Sequence, residues 1–161
     1  RIALDEIIAR SAALSSTQTL HVSASITSGT HTYGTLETPR VTLIEDGATP
    51  IELSGGAVIN GVGILLVPRV VQLKNATLNW RGLVLIMGDG DVRVADAAAC
   101  GQILGSVVIR DDASIDRKFD LDRAGGTGSC APFAVNYSCE TTIRSWALLS
   151  QTVSWTEKFD G

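Results

Sequence analysis

Aromatic residues are scarce in this chain, basic runs are missing, and no apolar stretch is long. Phe, Trp and Tyr make up 5% of 161 residues, too few to spread a row of stacking rings along a surface. No apolar run approaches the roughly 18 residues of a membrane helix. Ten Arg and three Lys are scattered without a patch, and the net charge is −4, so a polyanion finds no electrostatic footprint. Arg1 opens the sequence without Met or a signal-type apolar region, and the expectation is a mature or truncated piece of something longer. No Ser has a nucleophile-elbow context, no Gly-rich loop opens a helix, and no carboxylate pair is recognisable. His21 and His31 have no Cys or carboxylate at metal-ligand spacing and read as surface histidines. The expectation is therefore no enzyme, with no catalytic, cofactor-binding or metal residue to name. What is present is 45% apolar and 19% charged residues. That composition excludes a disordered chain and suffices for one domain with a substantial core.

A phrase recurs three times: Gly63-Ile64-Leu65-Leu66-Val67, Gly82-Leu83-Val84-Leu85-Ile86 and Gly105-Ser106-Val107-Val108-Ile109. Its glycines are 19 and then 23 residues apart. Each phrase is one strand long, and self-similarity at a period of about 20 residues marks a solenoid. Short β-rich runs recur throughout, Val58–Ile59, Ile64–Val67, Ala76–Trp80 and Leu83–Ile86 among them, with turn signals such as Gly55-Gly56, Pro68-Arg69 and Gly88-Asp89-Gly90-Asp91 between runs. The fold class predicted is all-β, a short parallel β-helix of about four rungs. An antiparallel sandwich also has many short strands, but repetition of one phrase in one orientation favours parallel stacking. Stacked rungs place Leu65, Val84 and Val107 in one inward ladder and Val67, Ile86 and Ile109 in another. Gly63, Gly82 and Gly105 then stack at a corner, where a Cβ would clash.

The whole of 1–161 reads as a single domain. Residues 1–16 carry a near-helical apolar spacing and are expected to form a capping helix. Residues 17–40 are a Ser/Thr-rich loop with short strands, near His21–Ile26 and His31–Leu36. The solenoid occupies 41–139, and 140–161 form a C-terminal cap. That cap contains a short helix with Ile143, Trp146 and Leu149 on one face, then a strand at Val153–Trp155. Both helices are assigned to the ends, because open end rungs are sticky edges.

Three cysteines are present. In register, Cys100-Gly-Gln-Ile103 aligns with Cys130-Ala-Pro-Phe133, which predicts a Cys100–Cys130 bridge across adjacent rungs. A Cys130–Cys139 loop closure and three reduced thiols are the alternatives. Gly88-Asp89-Gly90-Asp91 has a calcium-loop flavour without the later acidic ligand, and reads as a tight turn. Asp111, Asp112, Asp116, Asp120 and Asp122 alternate with Arg110, Arg117 and Arg123, which points to local ion pairs. A divalent ion held by the acidic loop 111–122 is the alternative. Trp80 reads as the plug of a solenoid corner rather than a sugar platform.

Several phrases add up in order. They are Pro39-Arg-Val-Thr-Leu-Ile, Ile51-Glu-Leu-Ser-Gly55, Gly61-Val-Gly-Ile-Leu-Leu-Val67, Thr77-Leu-Asn-Trp-Arg-Gly-Leu-Val-Leu-Ile86, Gly101-Gln-Ile-Leu-Gly-Ser-Val-Val-Ile109 and Asn136-Tyr-Ser-Cys-Glu140, with Trp155-Thr-Glu157 closing. Together they resemble the C-terminal β-helical region of bacterial PilX-type pilus-assembly proteins, over roughly Pro39 to Glu157. Those are pilin-like polypeptides with an N-terminal signal and membrane helix. That N-terminus is missing here, and Val70-Val71-Gln72-Leu73 follows Pro-Arg where the relatives tend to have a Gly-Asp turn. The resemblance implies a non-catalytic, minor-pilin-type subunit of a type IV pilus-like system that primes assembly or presents a tip. It implies an extracellular or periplasmic location in the cell envelope. Other pilus or envelope proteins would be the partners, with no nucleic acid and no membrane for this segment. A carbohydrate-binding or carbohydrate-active β-helix and a bactofilin-like scaffold are the alternatives.

Overall fold

A computed structural model describes residues 19–45, 47–109, 119–120 and 133–150. The strands are β1 (Thr19–Val22), β2 (Thr30–Tyr33), β3 (Arg40–Ile44), β4 (Ile51–Leu53), β5 (Val58–Val67) and β6 (Val70–Leu73). They continue as β7 (Thr77–Ile86), β8 (Asp91–Val94), β9 (Cys100–Ile109), β10 (Phe119–Asp120) and β11 (Ala134–Tyr137). One helix, α1 (Cys139–Ser150), follows. Every named strand pair is parallel, and the order in the larger sheet is β1-β3-β5-β7-β9-β11, with β2 beside the first half of β5. The second sheet runs β10-β8-β6-β4. This is a parallel β-solenoid of about four turns. Each turn contributes a long strand and a short one, and neither can bury its apolar face until a neighbouring turn stacks on it.

The long strands are longer than the turn signals imply. Val58–Ile59 and Ile64–Val67 read separately in sequence but form one ten-residue β5, and β7 behaves likewise. Gly63, Gly82 and Gly105 lie opposite one another in register, with φ of 124°, 135° and 153°. The positive φ turns the chain sharply without leaving the ladder, so the strand bends instead of ending. A Cβ on Gly82 would run into the Gly63 carbonyl oxygen on one rung and Ser145 Oγ of α1.

Two cores flank this bend. Inside the coil, Leu65 pairs with Val84 and Val84 with Val107, while Val67 pairs with Ile86 and Ile86 with Ile109. Leu65, Val67, Val84 and Ile86 are fully enclosed with Ile59, Leu78, Trp80 and the second-sheet residues Val71, Leu73, Val92 and Val94. Val107 is partly covered, and Ile109, expected to face inward, is exposed: β11 pairs only with Gln102–Gly105, so no described strand stacks on the end of β9. The second core lies outside the coil. Val41, Ile64, Leu66, Leu83, Leu85 and Met87 are buried there, with Trp146 and Leu148 of α1 packed against them. An unbroken apolar run such as Ile64-Leu65-Leu66-Val67 is the mark of a strand covered on both faces. Each such side chain taken fully out of water stabilises by about 1.5–3 kcal/mol.

Helix α1 therefore departs from its expected role. It contacts β5, β7 and β9, lying along the flank of successive rungs rather than across an end. Of the expected inward residues Trp146 holds and Ile143 does not. Ser145 is buried and Trp146 packs on the sheet, whereas Ile143 is exposed. The glycine bends leave room for close approach, and a small hydroxyl fits where an isoleucine would not. Ser138 caps α1, its Oγ accepting from the Thr141 N–H at 3.4 Å, and Glu140 in the first turn suits the helix dipole. The capping helix expected over 1–16 and the strand expected at Val153–Trp155 lie outside the described residues.

The register of the last rung also corrects the sequence reading. Val135, not Phe133, stands opposite Ile103, so β11 is displaced by two residues from the alignment that matched Cys100 with Cys130. A two-residue slip keeps every side chain on its face, so apolar pattern alone does not separate the two registers. Cys100 is disulfide-bonded, Cys139 is free and exposed, and Cys130 lies outside the described residues.

Candidate functional site: an amide-lined groove beside the glycine bend

On the outer face of the long strands, before the bend, lies a row the sequence reading passed over. Asn60 pairs in register with Asn79, and Asn79 with Gln102. Each amide stands three residues before its glycine, at 63, 82 and 105. That offset was the available signal; amides in a turn-rich chain look like ordinary surface residues without the register. Asn79 Nδ2 donates to Asn60 Oδ1 at 3.1 Å. The row lines a groove of about 230 Å³ together with Gly34, Val62 and Arg81.

Beneath the groove Trp80 plugs the coil from inside. Its side chain is 1% exposed and points into the coil, which matches the corner plug expected of it. Gly61 is its neighbour on the rung below, and any Cβ there would occupy the space of the indole ring. The indole N–H donates to the Gly63 carbonyl at 3.3 Å. From the opposite side Ser145 Oγ reaches the same oxygen at 3.1 Å, sharing its proton with Thr141 O at 2.8 Å. The bend is thus held from inside by a ring and from outside by a helix. Thr141 Oγ1 donates to Leu104 O at 3.0 Å, and Thr142 Oγ1 meets Ser106 Oγ at 2.9 Å. These contacts fix α1 beside the groove.

Arg81 is exposed and makes no ion pair or hydrogen bond with any described residue. Carboxylates are absent from the groove's lining residues. Several other charged side chains are engaged in local pairs. Lys74 Nζ pairs with Glu52 at 2.5 Å, Arg93 with Asp91 on the same strand, and Arg144 with Glu140 at 2.7 Å. A larger hollow of about 450 Å³ lies by the second-sheet turns, lined by Gly47, Arg69 and Asp89 among others. There Arg69 donates to Glu45 O at 3.1 Å, and the hollow's lining carries one charge of each sign, Arg69 and Asp89.

The remaining candidates from the sequence fall apart in space. His21 Nδ1 meets Glu45 at 3.2 Å, while His31 Nε2 donates to Ser28 O at 2.9 Å. Gly88-Asp89-Gly90-Asp91 is a turn closed by the Gly90 N–H on Met87 O at 2.8 Å, with Asp91 buried against Arg93. Among the described residues no three His, Cys, Asp or Glu side chains form a metal-sized group. Most of the 111–122 loop lies outside the described residues. Burial pushes the Tyr33 hydroxyl above its ordinary pKa. The Cys139 side chain, through its hydrogen bond and charge, pushes Tyr137 up as well. Neither tyrosine lines the groove.

Comparison with family models, with curated proteins and with solved structures finds no match to this chain.

Proposed function

We propose that this chain is a non-catalytic structural and interaction module of an exported, type IV pilus-like assembly, of minor-pilin type. The observation that carries the structural role is the unbroken register from β3 through β5 and β7 to β9, which makes a stiff coil whose long strands are packed on both faces past the glycine bend. Stiffness suits a spacer or tip element that presents a surface at a fixed distance. The disulfide-bonded Cys100 supports an oxidising compartment, and hence a place outside the cytoplasm or in the periplasm. The pilus assignment itself rests on the ordered phrases from Pro39 to Glu157, and its partners are other pilus or envelope proteins. The test is shearing and fractionation of the producing cell, with and without the gene. The protein is expected in the sheared surface fraction with Cys100 oxidised, and its deletion is expected to reduce surface pili. Recovery in the cytoplasm with all thiols reduced, or unchanged piliation, overturns the reading.

A further inference from the structure

We propose that the amide-lined groove is a binding site for an acidic oligosaccharide lying along the solenoid axis. The argument starts from what the groove offers. Asn60, Asn79 and Gln102 stand on three successive rungs, about 4.8 Å apart. An amide carries both donors and an acceptor, which matches a hydroxyl, itself donor and acceptor. The one ladder hydrogen bond uses Asn79 Nδ2 and Asn60 Oδ1. It leaves Asn60 Nδ2, Asn79 Oδ1 and the whole Gln102 amide without a hydrogen-bond partner among the described residues, in a groove that all three residues line. Arg81 stands two residues after Asn79 on β7, on the same face of the strand, with no anionic partner among the described residues. A planar guanidinium recognises a carboxylate through paired hydrogen bonds. A ligand combining regularly spaced hydroxyls with a carboxylate fits this set. An extended peptide does not, because peptide strands add at a sheet edge and this groove lies on a sheet face. A nucleic acid finds one cation in the groove and a net charge of −4.

The inference stands apart from the pilus assignment, since the groove is defined by the rungs alone. The experiment is titration calorimetry of the purified chain against tetramers of galacturonate, mannuronate and sialic acid, with tetramers of galactose and mannose as neutral counterparts. Saturable binding of at least one acidic tetramer is expected, weakening as salt rises. Arg81→Gln is expected to lower that affinity about tenfold and Arg81→Lys to restore part of it. Gln102→Ala, at an exposed position, is expected to lower it severalfold. Far-UV circular dichroism and melting of each variant establish that the coil is intact. No saturable binding of any acidic tetramer at millimolar concentration overturns the proposal. So does equal binding of the neutral tetramers, or unchanged affinity in both Arg81→Gln and Gln102→Ala.

Discussion

Single residues carry unequal weight in this coil, and Gly82 carries the most. Its φ of 135° and the carbonyl and hydroxyl on either side leave no place for a methyl group. Gly82→Ala is expected to cost about 3 kcal/mol or more, read as a drop in the denaturation midpoint. Thr42 presents the opposite case. It faces the inner core at 1% exposure, its hydroxyl has no hydrogen-bond partner, and it lines a cavity of about 30 Å³. Thr42→Val removes an unpaired polar group at constant shape and is expected to stabilise by about 1 kcal/mol, measured by urea unfolding. Tyr33 gives a pH dependence. Burial raises its folded pKa, so the unfolded chain releases its proton first as pH rises through about 10. Stability is full below that point and falls above it. Melting temperatures between pH 9 and 12 are expected to decline less steeply in Tyr33→Phe.

At the scale of elements, α1 decides whether the outer sheet face is a core or a hazard. Without Trp146 and Leu148 over them, Ile64, Leu66, Leu83 and Leu85 form an exposed apolar patch. Trp146→Ala is expected to destabilise by about 2 kcal/mol or more and to raise binding of a hydrophobic dye, seen by fluorescence. Ser145→Ala removes one of two donors to the Gly63 carbonyl and is expected to cost about 1 kcal/mol. The helix was legible in sequence, but its seat was not. Ile143, Trp146 and Leu149 share a face by spacing. The sheet takes Trp146 as expected but leaves Ile143 exposed and buries Ser145, because glycine bends bring backbone close enough to exclude a larger side chain. Strand length was misread for a related reason. Glycine usually ends or weakens a strand, and here three stacked glycines bend one in concert.

For the whole molecule, stability is a sum over rungs and their interfaces. β5 and β7 have a rung on both sides, while β1 and β11 are the outermost strands of their sheet among the described residues. Hydrogen exchange is expected to be slowest in β5 and β7 and faster in β1 and β11; uniform protection would contradict this gradient. Reduction of the Cys100 disulfide is expected to lower stability by about 2–4 kcal/mol, measured by thermal unfolding with and without reductant. The parallel coil, its approximate turn number and the inward ladders were determined by sequence alone. They follow from a repeated Gly-led phrase whose apolar positions can be buried only by stacking. Three things were decided in the tertiary structure: the flank position of α1, the two-residue shift of β11, and the groove in which Asn60, Asn79 and Gln102, already aligned by the glycine register, stand beside Arg81. Each depends on how far one rung sits from the next in register and depth. A local pattern of period two is blind to that distance, since it survives any shift by an even number of residues.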